Sequence, residues 1–263
     1  MRNASIYDFP TIYDRVMQPG PCEEFYSSLA RMADGPVLEL ACGTGRLTLP
    51  LARTGRQVVG LDASSAMLDL GREKAAADGV DVTFVKGDMR SFDIGQLFSL
   101  IVVSCNSLAH LTTNEDVRAC LTRVERHLAP GGVLAFDVVN PDVRSLGRSD
   151  CEAVRLDLGP NPCSGIAVEE FSSYDPVRQV RVLHWKVREP GVAVRELAPL
   201  TLRQFFPQEV PLLLEGAGLK LGARYGDFAG NPLSRDGLNQ ICIARASSLE
   251  PPARRAFSRA FAR

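Results

Sequence analysis

The chain has 263 residues, of which 45% are apolar and 23% charged, and its formal net charge is -1. This length suits one large α/β domain with an insertion, and the charge disfavours a nucleic-acid-binding protein, which usually carries a basic surplus. No apolar stretch approaches the ~20 residues that a membrane span requires. The seven cysteines show neither a CxxC pair nor metal-ligand spacing. We therefore expect reduced thiols, no bound metal, no signal peptide and a cytoplasmic location.

Short apolar runs alternate with helical segments between residues 36 and 140. Strands are predicted at 37–40, 57–61, 82–86, 98–104 and 133–139. Helices are predicted at 47–54, 64–78 and 115–128, with Ser64 or Ser65 capping the second of them. This β-α-β-α order predicts a doubly wound, mostly parallel sheet with right-handed crossovers.

A different pattern follows Asn140. Residues 165–206 predict three longer strands separated by tight turns, which indicates a small antiparallel sheet inserted beside the main one. A helix at 207–216 and strands at 219–225 and 240–244 complete the pattern. We divide the chain into an N-terminal helical lid (1–34), a cofactor-binding core (35–149), the inserted sheet as an acceptor lid (150–206), the rest of the core (207–246) and a mobile tail (247–263).

The loop after the first strand reads Glu39-Leu40-Ala41-Cys42-Gly43-Thr44-Gly45 and leads into a helix. Glycines permit positive φ and leave room for a ligand, and the helix start offers free N–H groups. A dinucleotide fingerprint would have a third glycine where Thr48 stands, and a phosphate loop would have Gly-Lys-Ser/Thr. Both are missing, so the loop indicates a different nucleotide-like ligand with an acidic residue, Glu39, before it.

Carboxylates also follow the next two strands. Asp62 ends the second strand, where its oxygens can accept from both hydroxyls of a ribose, at the spacing expected for that role. Gly87-Asp88-Met89 follows the third strand, where Asp88 can accept from an adenine amine while Met89 and Met67 contact the ring. Each aspartate alone is more typical of a helix cap, but the three loops in this order indicate an adenosine site.

Together these motifs make residues 36–140 similar to class I S-adenosylmethionine (SAM)-dependent methyltransferases, the Rossmann-like group with an ExxCGTG loop. The resemblance implies a seven-stranded sheet ending in an antiparallel hairpin, and SAM as cofactor with S-adenosylhomocysteine as product. Ala41 stands where the family more often has glycine, so we expect a slight adjustment there. The implied cofactor-binding residues are Tyr13, Glu39, Ala41, Cys42, Gly43, Gly45, Asp62, Ala63, Met67, Gly87, Asp88, Met89 and Cys105.

The loop after the fourth strand, residues 104–110, faces the acceptor by the same resemblance. Enzymes that methylate amines of nucleic-acid bases carry Asp/Asn-Pro-Pro-aromatic there. This chain lacks it, and Asn140-Pro141-Asp142 comes after the fifth strand, so the pattern favours a small-molecule acceptor. The candidate acceptor-binding residues are Tyr7, Tyr13, Asn106, His110, Tyr174, Trp185 and Arg203. A monomer and a homodimer both remain open.

Methyl transfer is a direct displacement in which positioning carries much of the rate, and a base is needed only for a protonated acceptor. His110 is the candidate base, since it titrates near neutral pH; the alternative is a packing histidine. We favour nitrogen as the acceptor atom because an unprotonated amine needs least help. Carbon or oxygen of an aromatic compound would suit a lid supplying Trp185, Tyr174 and Phe205. The rival classes are a nicotinamide oxidoreductase and a non-catalytic SAM-binding module.

Overall fold

The N-terminal segment and the first half of the core contain short helices and parallel strands. The computed structural model describes residues 4–18, 20–147, 154–155 and 165–247. After a 3-10 helix at Ile6–Asp8, the chain forms α1 (Pro10–Val16), α2 (Cys22–Met32), β1 (Val37–Leu40), α3 (Thr48–Arg53), β2 (Val58–Asp62), α4 (Ser65–Asp78), β3 (Thr83–Lys86) and β4 (Phe98–Val103). Ser64 caps α4 by accepting from the Met67 N–H, as predicted, and Gly79 ends it in the left-handed conformation.

The remaining elements complete the core and add a second sheet. A 3-10 helix at Ser107–His110 precedes α5 (Asn114–His127), β5 (Leu128–Val139) and α6 (Val143–Leu146). The second sheet contains β6 (Val154–Arg155), β7 (Ala167–Asp175), β8 (Val180–Arg188), β9 (Arg195–Glu196) and β10 (Leu200–Arg203). The chain then returns through α7 (Glu209–Glu215), β11 (Leu219–Tyr225) and β12 (Asn239–Ala246). No helix within the described ranges is both long and apolar enough to cross a membrane.

The seven-stranded sheet has the order β11-β12-β5-β4-β1-β2-β3. The pairs among β1 to β5 are parallel, whereas β12 runs antiparallel to both of its neighbours. This confirms the predicted doubly wound sheet with a final hairpin. Because parallel strands end at one edge, the loops after β1, β2, β3 and β4 all meet there.

The prediction for the start of β5 was wrong. The strand begins at Leu128 rather than at residue 133. Leu128 pairs with Phe98, and the pairing then shifts so that Val133 pairs with Leu100. Pro130-Gly131-Gly132 therefore lies within the irregular part of the strand instead of ending a loop before it.

An inserted antiparallel sheet is present, as predicted, with more strands than the sequence indicated. It has five strands in the order β10-β8-β7-β6, with β9 also paired to β8. The long β7–β8 hairpin matches Ala167 with Arg188 and Asp175 with Val180. The two-residue strands β6 and β9 are too short for a sequence pattern to reveal.

The predicted lid of residues 1–34 packs in two different places. Ile12 and Val16 of α1 lie in an apolar cluster with Val168 and Trp185 of the inserted sheet. In contrast, α2 packs its buried residues against the core strands around Val37. Of the predicted tail, residues 248–263 lie outside the described residues.

Candidate active site

A cavity of about 390 Å³ opens at the edge of the large sheet where β1 to β4 end. Its volume falls within the range of small-molecule and cofactor sites. Twelve predicted site residues line it, namely Tyr7, Tyr13, Ala41, Gly43, Asp62, Ala63, Met67, Gly87, Asp88, Met89, Cys105 and His110. Further lining residues were not predicted, among them Met17, Arg46, Leu61, Ser64, Arg90, Ser107 and Leu111.

The loop after β1 is shaped by residues with positive φ. Gly43 (φ +57°) and Gly45 (φ +78°) lie in the left-handed region, and so does Ala41 (φ +53°). A Cβ on Gly45 would lie 3.2 Å from the Phe84 ring. Ala41 is therefore strained, since glycine adopts this conformation more readily than alanine.

Asp62 connects this loop to the next one. Its Oδ2 accepts from the Gly43 N–H at 2.8 Å, and its Oδ1 accepts from the Ser64 N–H at 2.8 Å. A carboxylate has further lone pairs for the two hydroxyls of a ribose. The carboxylate thus orders the glycine loop and still faces the cavity.

Three predicted cofactor residues, Glu39, Cys42 and Gly45, do not line the cavity. Glu39 is buried and accepts from Thr48 Oγ1 at 2.5 Å and Ser104 Oγ at 3.1 Å. Burial raises the pKa of its carboxyl to about 7, while both hydroxyls oppose that rise. The buried Cys42 side chain packs where a Cβ on Gly60 would be, 2.9 Å from its Sγ. Glu39 and Cys42 therefore anchor the loop to its buried neighbours.

At one end of the cavity, Asp88 pairs with an arginine that the sequence did not single out. Arg90 donates to both Asp88 oxygens through Nε, at 3.0 Å each, and reaches Asp116 at 3.0 Å. The hydrogen bond from Arg90 lowers the pKa of Asp88. Met67 and Met89 provide apolar surface nearby, as an adenine site requires.

At the opposite end, Tyr13, Arg46 and Cys105 meet. Burial raises the pKa of the Tyr13 hydroxyl to about 12, so it is a neutral donor. The Nε of Arg46 is buried and has no hydrogen-bond partner among the described residues. A guanidinium at this place is suited to the carboxylate of an amino acid.

Tyr7 and His110 meet in the cavity although 103 residues separate them. The Tyr7 hydroxyl and His110 Nε2 are 2.8 Å apart, and the rings are arranged edge to face. Burial lowers the pKa of the imidazole, so His110 is neutral near pH 7. Burial also raises the pKa of Tyr7, which keeps its proton.

The loop after β4 is held by a buried carboxylate that the sequence did not reveal. Asp137 on β5 accepts from the Cys105 N–H at 2.9 Å, the Asn106 N–H at 3.0 Å and the Tyr26 hydroxyl at 2.7 Å. Cys105 (φ +57°) and Asn106 (φ +59°) are both left-handed. Asp137 thereby stabilises a strained backbone that faces the cavity. Residues 132–138 of β5 are all buried, so the burial pattern of the strand does not single out Asp137.

Four predicted acceptor-binding residues do not line the cavity. Asn106 accepts from the Val139 N–H and so stabilises its own loop. Trp185 is buried and donates from Nε1 to Glu170 at 2.9 Å. Arg203 is buried beside Glu209, and Tyr174 pairs in register with Arg181 on the inserted sheet. Trp185, Arg203 and Tyr174 thus belong to the inserted sheet, and Asn106 belongs to the loop after β4.

Comparison with known proteins identifies the family. The methyltransferase domain family matches residues 37–132. Cypemycin N-terminal methyltransferase from Streptomyces sp is 35% identical over 245 residues, which cover 88% of this chain and 94% of that protein. The chain belongs to the SAM-dependent methyltransferases. Its cofactor is SAM, and the oxidoreductase and the non-catalytic module considered from the sequence are set aside.

Other relatives agree with this assignment over different lengths. The CcbJ methyltransferase from Streptomyces caelestis is 31% identical, with a TM-score of 0.78 over 87% of this chain and 97% of that one. The dTDP-3-amino-3,4,6-trideoxy-alpha-D-glucopyranose N,N-dimethyltransferase of Streptomyces venezuelae is 30% identical over 75% of this chain and 80% of that protein. The match to the putative methyltransferase YqeM of Bacillus subtilis, 36% identical, spans only 53% of that protein.

Proposed function

We propose that this methyltransferase transfers the methyl group of SAM to an amine nitrogen of a small molecule, with the Tyr7–His110 pair accepting the amine proton. The observation that carries the proposal is the 2.8 Å contact between the Tyr7 hydroxyl and His110 Nε2 inside the cavity. Two of the relatives described above are named as methyltransferases of an N-terminus and of an amino sugar nitrogen, which supports nitrogen as the acceptor atom.

The residues that line the cavity suit SAM in one orientation, with its adenosine toward Asp62 and Asp88. Asp62 would accept from the ribose hydroxyls and Asp88 from the adenine amine, between the side chains of Met67 and Met89. Arg46 and the Tyr13 hydroxyl would then meet the methionine carboxylate at the far end. This direction leaves Tyr7 and His110 next to the methyl-bearing end, where an acceptor has to approach.

When bound, SAM supplies a methyl group on a positively charged sulfur. The attacking amine has to lose a proton to expose its lone pair, because most alkyl amines are protonated near pH 7. With Nε2 of His110 unprotonated, the Tyr7 hydroxyl donates to it and presents its own oxygen to the amine. The amine proton passes to the Tyr7 oxygen while the Tyr7 proton passes to His110, which becomes an imidazolium.

An aromatic acceptor would suit a lid that supplies Trp185, Tyr174 and Phe205, and none of these three residues lines the cavity. Phe205 is instead buried in the core with Val210 and Leu214. Tyr7, Tyr13 and His110 do line the cavity, which supports them as the wall that an acceptor would contact.

The test combines an acceptor panel with two variants. Labelled SAM is offered with an amino-sugar nucleotide, a peptide with a free N-terminus, a phenol and an indole, and products are identified by mass spectrometry. We expect N-methyl products only. Tyr7→Phe and His110→Ala should lower kcat by about 10²-fold or more while the Kd for S-adenosylhomocysteine stays within about twofold, the size of an indirect effect.

The pH profile gives an independent readout. The reaction requires neutral imidazole, and burial holds the pKa of His110 below its usual 6.5. The wild-type kcat should therefore stay high at pH 6.5 and fall only at lower pH. In His110→Ala this decrease of kcat at low pH should be absent. Tyr174→Phe, a tyrosine outside the cavity, is the matched control and should leave kcat unchanged. O-methyl products, or full activity of Tyr7→Phe, would refute the proposal.

A further inference from the structure

Two cysteines from distant parts of the chain meet at the Arg46 end of the cavity. Cys22 is the first residue of α2, and Cys105 lies in the loop after β4, where it is exposed and lines the cavity. Each thiol shifts the pKa of the other. The Arg46 guanidinium contacts both sulfurs, with Nη1 3.8 Å from Cys22 Sγ and Nη2 against Cys105 Sγ.

These contacts make Cys22 the more acidic of the two thiols. The hydrogen bond from Cys105, together with Arg46, lowers the pKa of Cys22 to about 6 although burial opposes it. Cys22 is therefore largely a thiolate near pH 7, and thiolates are the form that reacts with disulfides. The other described cysteines, Cys42, Cys120 and Cys242, are buried, and burial raises the pKa of each of them.

We propose that Cys22 and Cys105 form a reversible disulfide that closes the methionine end of the SAM site. The oxidant is a low-molecular-weight disulfide. The Cys22 thiolate attacks one sulfur of the oxidant and releases a first thiolate, which takes the proton of Cys105. The Cys105 thiolate then attacks the Cys22 sulfur and releases a second thiolate. Two protein sulfurs are oxidised, and one small disulfide is reduced to a thiol and a thiolate.

The bond would change the cavity wall. A disulfide holds its sulfurs about 2.05 Å apart, far closer than two unlinked thiols. Cys105 would have to move toward α2, away from the geometry that Asp137 imposes on its N–H. Displacements of about 1 Å at such a site can cost 10²-fold in rate. The inference depends on the cavity being the SAM site and is independent of nitrogen as the acceptor atom.

The experiment uses the full chain, reduced and then treated with glutathione disulfide. Trypsin leaves each of the seven cysteines in its own peptide, with Cys22 in residues 16–31 and Cys105 in residues 91–118. Mass spectrometry without reduction should find these two peptides linked. The Kd for S-adenosylhomocysteine, measured by isothermal titration, should rise at least tenfold and return after dithiothreitol. Saturating S-adenosylhomocysteine should in turn slow the cross-linking.

Two variants make the assignment specific. Cys22→Ser should form no cross-link and should keep its S-adenosylhomocysteine affinity after glutathione disulfide treatment. Cys120→Ser, a buried cysteine far from the pair, should behave like the wild type. If Cys22→Ser does not fold, the peptide map of the wild type decides alone. Glutathione on Cys105 without the 16–31 cross-link would overturn the proposal, and so would a cross-link that leaves the S-adenosylhomocysteine affinity unchanged.

Discussion

Replacing Asp62 tests the assignment of the ribose site most directly. The carboxylate accepts from the Gly43 and Ser64 N–H groups at 2.8 Å each and also lines the cavity. Hydrogen bonds to a charged group contribute roughly 1.5–3 kcal/mol each. Because both N–H groups lie at a cavity that water can enter, Asp62→Ala should lower the free energy of unfolding by only about 1–3 kcal/mol. The lost ribose bonds should weaken S-adenosylhomocysteine binding by about 2–3 kcal/mol, or roughly 30- to 150-fold in Kd.

The two effects are separated by two measurements. Urea denaturation without ligand measures the stability that Asp62 gives the loop. Isothermal titration with S-adenosylhomocysteine measures the contribution of the ribose hydrogen bonds to binding. Asp62→Asn should retain little of the affinity, since its amide turns one acceptor into a donor that faces a backbone N–H. Asp81→Ala, which removes an exposed aspartate just before β3, is the control and should change neither quantity. A stability loss in Asp62→Ala with an unchanged Kd would show that the carboxylate only orders the loop.

Two substitutions test the strained backbone on either side of the cavity. Asp137→Asn should lower the free energy of unfolding by about 3 kcal/mol, because an amide nitrogen would face one of the three donors that the buried carboxylate binds. Urea denaturation measures this, and a loss no larger than that of Tyr26→Phe would contradict it. Ala41→Gly should relieve the strain of an alanine with positive φ, whereas the greater freedom of glycine in the unfolded chain opposes this gain. The net rise in the free energy of unfolding should be about 1 kcal/mol. A lower Tm for Ala41→Gly would contradict the second expectation.

The cofactor side of the cavity could be predicted because local rules place it. Each strand ends at a chemically marked loop, and the parallel topology brings those loops to one edge. Asp62 follows its strand directly, and Ser64 caps the next helix. Their positions depend on a few neighbouring residues and on the order of elements, which a single sequence contains.

The acceptor side depends on contacts between distant segments. The sequence singled out Tyr7 and His110 but gave no reason to pair them. Nothing in the sequence distinguishes Arg46 from the other arginines, whereas in the structure α2 places Cys22 beside it. Trp185 was placed at the acceptor because aromatic side chains suit binding sites, yet apolar packing against α1 accounts for it. Composition cannot distinguish these two uses of an aromatic ring.

Ion pairs and apolar burial both hold α1 in place. Two ion pairs fix the helix, Asp14 to Lys74 at 2.8 Å and Arg15 to Glu189 at 3.0 Å, and all four side chains are partly exposed. Such pairs contribute about 0.2–1 kcal/mol each. Burial of one Ile or Val side chain contributes roughly 1.5–3 kcal/mol, and α1 buries two of them in the cluster with the inserted sheet. Apolar burial therefore contributes more to the position of α1 than its two ion pairs do. Ile12→Ala should consequently lower the free energy of unfolding more than Asp14→Ala.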